Sequence, residues 1–234
     1  MQLFITEFNR DWNYININEA RILHQLNNVL RAKPWYIFFV QNYENKEVQR
    51  FKLEIISIKK DNICAQIIEK TSRSVEKQNF GMIICLPNKF EKIELIIQKL
   101  TEIGIPQIVL YPSQRSVIQT INEAKLQRLE KIKIEAAEQS RNFVLPEIHI
   151  LKSNEITNFI QDKNLIIFDA NGKDLGDIKM EKQNLYGIVW PEWWFDEKDL
   201  KIFADKIIVR INLGESILRT ETGSIIWWWI IKNL

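Results

Sequence analysis

The chain has 234 residues, 46% hydrophobic and 26% charged, with a net charge of +2. That suits an ordinary folded protein of one large domain or two small ones, and it supplies no global basic field for nucleic acid, although a local basic surface stays open. Eight Trp outnumber seven Gly, where ordinary usage would give roughly sixteen glycines.

The amino terminus, "MQLFITEFNRDWN", carries Glu7, Arg10 and Asp11 where a signal peptide needs an apolar stretch, so a cytoplasmic protein is expected. "NEARILHQLNNVLRAKP" (18–34) reads as a helix capped by Asn18, with Ile22, Leu23, Leu26, Val29 and Leu30 as its apolar stripe. "YIFFV" (36–40), "VQRFKLEIISIKK" (48–60) and "NICAQIIEK" (62–70) read as strands, giving a β-rich domain over 1–74. The polar stretch 69–79 reads as the linker to a second domain over 75–234. There the rhythm changes to strand 81–87, helix 89–104 with Gly104 as its stop, strand 106–112 and helix 122–141. Strands 164–170, 185–190 and 206–213 follow, with a helix starting near Asp196 and a last helix from about Thr220. Nearly all-apolar strands alternating with helices predict an α/β domain with a parallel sheet covered on both faces. Cys64 and Cys85 lie 21 residues apart without a CxxC pattern and are expected to be buried, reduced thiols. The most apolar run, 225–231, is too short to span a bilayer.

Open α/β sheets bind ligands beyond the carboxyl ends of their strands. Three such ends stand out: "FDANGK" (168–173), "WPEWWF" (190–195) and "NLGESILRTETG" (212–223). No dinucleotide fingerprint or Walker loop is present, and His24 and His149 are too isolated for a triad or a zinc site, so no metal is expected. In the third segment Gly214 is a turn glycine, Thr220 or Thr222 can cap the following helix, and Glu221 suits its first turn.

These residues resemble the bacterial 16S ribosomal RNA uracil N3-methyltransferases, within the S-adenosylmethionine-dependent RNA methyltransferases that end in a trefoil knot. "HQLNNVLRAKP" is similar to the family's amino-terminal motif, and "EKIELIIQKLTEIGI" to its first long helix. "SQRS" (113–116) and "AAEQS" followed by "PEI" (136–148) are similar to two further signatures. The family's Leu-Gly-x-x-Ile-Leu-Arg-x-Glu-Thr loop is intact as "LGESILRTET", while its Gly-Pro-Glu-Gly-Gly loop is "WPEWW" here. The family often has arginine two places after Gln-Ser; Asn142 stands there and Arg141 precedes it.

The resemblance implies a small PUA-like β-barrel for RNA, a knotted (SPOUT) methyltransferase domain, S-adenosylmethionine as cofactor, and a homodimer acting on 16S RNA of the small ribosomal subunit. Carried over residue by residue, the cofactor pocket would use Phe168, Asp169, Ala170, Trp190, Pro191, Glu192, Trp193, Trp194, Leu213, Gly214, Ile217, Leu218, Arg219, Thr220 and Thr222. Arg31, Lys33, Arg115, Gln139, Ser140 and Arg141 would hold RNA. Removing the weakly acidic N3 proton of uracil calls for a stabilising cation, for which Arg219 is best placed, with Glu221 or water as proton acceptor. Alternatives are a knotted transfer-RNA methyltransferase, or a non-catalytic RNA-binding relative with a tryptophan-filled pocket.

Tryptophan replaces glycine selectively. Trp35, Trp190, Trp193 and Trp194 fall on the family's motif glycines, and Trp227 and Trp228 fall where relatives carry small residues; Trp12 and Trp229 have no counterpart. Translation of a gene from a lineage that reads UGA as glycine, with a table that reads it as tryptophan, gives this pattern. Most of these residues are therefore expected to be glycine in the natural protein.

Overall fold

The computed structural model describes residues 2–44, 47–74, 79–173, 184–189, 197–216 and 218–233. The chain divides into two compact units, residues 1–77 and 78–234.

The first unit is a six-stranded sheet in the order β1-β4-β5-β6-β3-β2. Its strands are β1 (Leu3–Ile5), β2 (Asn9–Asp11), β3 (Tyr14–Ile17), β4 (Ile37–Glu44), β5 (Glu47–Ile58) and β6 (Ile63–Ser74). All ladders are antiparallel except β1 with β4. Phe4, Ile15, Phe38, Val40, Phe51, Leu53 and Ile63 form its core with Ile22 of α1 (Ala20–His24) and Leu26 of the turn that follows it.

Three expectations are corrected here. The helix is shorter than 18–34: its cap position is Glu19 rather than Asn18, and it continues from α1 as a π-helical turn over Gln25–Val29. That turn adds a residue per hydrogen-bonded ring, which rotates Val29 off the apolar stripe and leaves it 56% exposed. Residues 69–74 are the outer half of β6, paired with β5 from Glu47 to Lys52, and not part of a linker. Both faces of that ribbon are largely polar at its tip, so no alternation marks it as strand. Cys64 is only half-buried, while Cys85 is fully buried; both are free.

The second unit is an all-parallel sheet, β12-β10-β11-β7-β8-β9, comprising β7 (Gly81–Cys85), β8 (Gln107–Tyr111), β9 (Glu147–Ile150), β10 (Asn164–Lys173), β11 (Leu185–Val189) and β12 (Ile207–Ile211). Alternate residues of one strand feed two cores, which explains the unbroken apolar runs. Met82, Ile84, Ile108, Leu110 and Val189 face α2 (Phe90–Glu102), α3 (Glu123–Ser140) and α6 (Thr220–Asn233). Ile83, Cys85, Val109, Tyr111 and Ile188 face α4 (Ile156–Phe159) and α5 (Glu197–Phe203). α2 ends as expected: Gly104 has φ +81°, the Gly104 and Ile105 amides donate to the Thr101 and Leu100 carbonyls, and Ile105 and Leu100 are both buried. The knot implied by the resemblance would be threaded through 190–196 and 217, which lie outside the described residues. Among the described residues no helix is long and apolar enough to cross a membrane.

Candidate functional site

Because every strand of the second sheet is parallel, the carboxyl ends of β10, β11 and β12 share one end of the unit. β10 runs further than the expected 164–170. Both Phe168 and Lys173 pair with Ile211, so residues 169–172 bulge from the ladder. Gly172 permits this, because a side chain there would collide with the backbone of Arg210, Ile211 and Asn212 at 2.5–2.7 Å. Asp169 and Ala170 lie on the bulge, and Phe168 packs at its base against Trp227, ring centres 6.0 Å apart.

Leu213 packs on the core below α6, and Gly214 turns the chain at φ +97°, its amide donating to Asn212 Oδ1 at 2.7 Å. Among the described residues, chain neighbours apart, no atom lies within 4 Å of where a Gly214 side chain would begin, so backbone is open to a ligand there. The expected threonine caps are not formed. The Arg219 carbonyl accepts from the Gly223 amide at 2.8 Å, which makes Arg219 the cap position and places Thr220 and Thr222 inside the first turn. Thr220 is buried, Thr222 exposed and Leu218 half-buried. The Arg219 side chain is exposed and pairs with no carboxylate among the described residues. Glu221 is half-buried, and its Oε2 is buried without a hydrogen-bond partner among the described residues. Trp190, Pro191, Glu192, Trp193, Trp194 and Ile217 lie outside the described residues.

Arg115 is exposed at the carboxyl end of β8, the same end of the sheet. Gln139, Ser140 and Arg141 are not. They close α3, whose 18 residues run back to the opposite end, about 27 Å away. Ser140 donates to the Ala136 carbonyl at 2.8 Å, and Gln139 lines a groove between α2 and α3 with Glu91, Glu94 and Glu135. Arg31 and Lys33 are exposed in the first unit. Among the described residues no three His, Cys, Asp or Glu side chains gather as metal ligands.

Sequence reading missed that two of the RNA candidates sit in left-handed backbone. Arg31 (φ 49°) follows the π turn and Arg141 (φ 52°) ends α3, with Asn142 and Arg141 amides donating to Ala137 and Glu138 carbonyls. Glycine is the usual residue at such a helix end. An L side chain there costs about 1 kcal/mol, and strain of this kind concentrates at functional positions. Arg141→Gly is therefore expected to raise stability by about 1 kcal/mol in urea unfolding while weakening RNA binding. A variant that gains stability and binds RNA unchanged would remove Arg141 from the RNA surface.

Comparison with known proteins agrees with this layout. Residues 75–232 match the model of the RNA methyltransferase domain. The chain is 33% identical over 168 residues to ribosomal RNA small subunit methyltransferase E of Mesomycoplasma hyopneumoniae, covering 69% of this chain and 73% of that protein. It is 29% identical to methyltransferase E 2 of Borreliella burgdorferi, covering 91% and 88%. The fold superposes on the crystal structure of ribosomal RNA small subunit methyltransferase E from Neisseria gonorrhoeae bound to S-adenosyl methionine, with TM-score 0.80, 21% identity and coverage of 100% and 97%. A β domain ahead of a parallel α/β unit, an intact LGESILRTET segment after β12 and these relatives together place the chain in the small-subunit ribosomal RNA methyltransferase E family.

Proposed function

We propose that the protein uses S-adenosylmethionine to methylate N3 of one uridine in 16S ribosomal RNA of the small subunit, near the decoding region, in the cytoplasm. The observation that carries this reading is the start of α6, where the exposed Arg219 stands two residues from Glu221, whose buried Oε2 has no hydrogen-bond partner among the described residues. The open backbone at Gly214 and the first turn of α6 fit a cofactor held largely by backbone groups. When bound, S-adenosylmethionine supplies the methyl group. Residues 168–170, 190–194 and 213–222 would hold it. Arg219 stabilises the uracil anion as the N3 proton leaves, and Glu221 Oε2 accepts that proton or passes it to water.

The protein acts as a homodimer on this reading. Two observations support it: Gln139–Arg141 lie at the far end of the sheet from the pocket, where they would serve a neighbour's site, and Leu95 of α2 is 40% exposed. Light scattering should give twice the chain mass at micromolar concentration; a monomer there would remove the shared site. Nucleoside mass spectrometry of small-subunit RNA from cells lacking the gene should show N3-methyluridine missing. Persistence of that mark, or loss of a ribose methylation instead, would overturn the assignment.

A further inference from the structure

Asp199 is the one buried carboxylate of α5, fully shielded from solvent. Burying a charge is expensive unless its hydrogen bonds are met. No Lys or Arg pairs with Asp199 among the described residues; instead the Tyr111 hydroxyl donates to it at 3.1 Å, and the Gln114 amide donates to both its oxygens at 3.2 and 3.4 Å. Burial and the Asp199 charge together push the Tyr111 hydroxyl well above its ordinary range, so it remains a donor. Phe203, at the other end of α5, meets Tyr111 edge-on at 5.8 Å. Helix α5 is thus seated on the end of β8.

The loop that Asp199 grips is tightly built. Ser113 and Ser116 are buried, their hydroxyls 2.9 Å apart, and the Ser116 hydroxyl donates to the Leu86 carbonyl at 3.0 Å. The Ser116 amide donates to the Ser113 carbonyl at 3.0 Å. Between the two buried serines the chain turns Gln114 and Arg115 outward, both exposed. A buried, hydrogen-bonded frame that holds one exposed arginine is how a rigid element sets the position of a phosphate contact.

We infer that Asp199 is a positioning residue for RNA: its carboxylate fixes the 113–116 loop and so aims Arg115 at the substrate backbone at the pocket end of the sheet. The inference rests on the RNA methyltransferase reading above and adds a residue that touches neither cofactor nor RNA. Without the carboxylate, the Gln114 amide loses its partner and the loop gains freedom, which spoils contacts rather than chemistry.

The test is steady-state methyl transfer to small ribosomal subunits from cells lacking the gene, with the full chain carrying glycine at 190, 193 and 194, at several salt concentrations. Arg115→Ala should raise the KM for subunits roughly tenfold and lower the slope of log KM against log salt by about one. Asp199→Ala, which removes both acceptor oxygens, should do the same with kcat retained, and Asp199→Asn, which keeps one of them, should do so by less. The double variant should be no worse than Arg115→Ala alone, because both remove one contact. Tyr111→Phe, which loses one donor and keeps the Gln114 amide, guards against a misfolded Asp199 variant and should shift KM in the same direction by less. Additive effects, or an Asp199→Asn variant that loses kcat and stability with KM and salt slope unchanged, would overturn the positioning role. If the parent chain with glycine at 190, 193 and 194 transfers no methyl group, the methyltransferase reading falls instead, and this inference with it.

Discussion

Glycine at positions 190, 193 and 194 is expected to bind S-adenosylmethionine about a hundredfold more tightly than tryptophan there. Each indole brings about 150–250 Å² of surface to a loop meant for close backbone approach, and overpacking costs about 1–3 kcal/mol a site. Trp12, Trp35 and Trp227 support the exchange independently of any motif. Trp12 (φ 47°) and Trp35 (φ 76°) occupy left-handed backbone that glycine enters freely, and are 88% and 75% exposed. Trp227 is fully buried, yet its indole Nε1 has no hydrogen-bond partner among the described residues, and a methyl group added at Gly187 would fall 2.3 Å from its ring. An orphaned buried donor costs about 1–3 kcal/mol. Trp229 is 61% exposed. Trp228 alone is well accommodated, stacked on Phe80 and donating to the Ile103 carbonyl at 3.2 Å. Exchanging tryptophan for glycine also brings glycine close to ordinary usage, given seven Gly and eight Trp as written. Peptide mass spectrometry of the protein from its own cells decides the matter. Tryptophan at 190, 193 and 194 would end the recoding account and favour a non-catalytic RNA-binding relative with a filled pocket.

The parts of this molecule legible in its sequence are those where burial is two-sided or periodic. β7, β8, β11 and β12 are apolar or nearly so throughout, and Ile93, Ile96, Ile97 and Leu100 mark the buried face of α2. β1, β2 and β9, three or four residues each, are too short for a period to show, and α4 is a single turn. At the site, the 213–222 segment could be read because turn glycine and helix start have local chemistry. Asp199 could not. In sequence it is one acidic residue in the first turn of a short helix, ordinarily a solvated position. Only the packing of α5 on Tyr111 turns it into a buried anchor. The left-handed Arg31 and Arg141 are hidden for the same reason: arginine carries no turn signal of its own.

On the proposed mechanism Arg219→Ala is expected to lower kcat about 10²–10³-fold with little change in S-adenosylmethionine affinity, since it would remove the charge proposed to stabilise the uracil anion. Three features give the side chain that task. It leaves the chain at the cap position of a 14-residue helix, where unpaired amides already make the field positive. It has no carboxylate partner among the described residues, so its charge is not spent on an ion pair. And it is permanently cationic, so it needs no proton of its own to act. The Arg219→Ala rate should climb with pH, because hydroxide then does what the guanidinium did and populates the anion in solution. Arg219→Lys should recover part of kcat, as a point charge without the planar fork. Glu221→Gln separates the fate of the proton: a loss of about 10²-fold or more in kcat identifies Oε2 as acceptor, and an unchanged kcat sends the proton to water. Retention of kcat by Arg219→Ala, measured by methyl transfer to small subunits at fixed pH and salt, would take the start of α6 out of the chemistry.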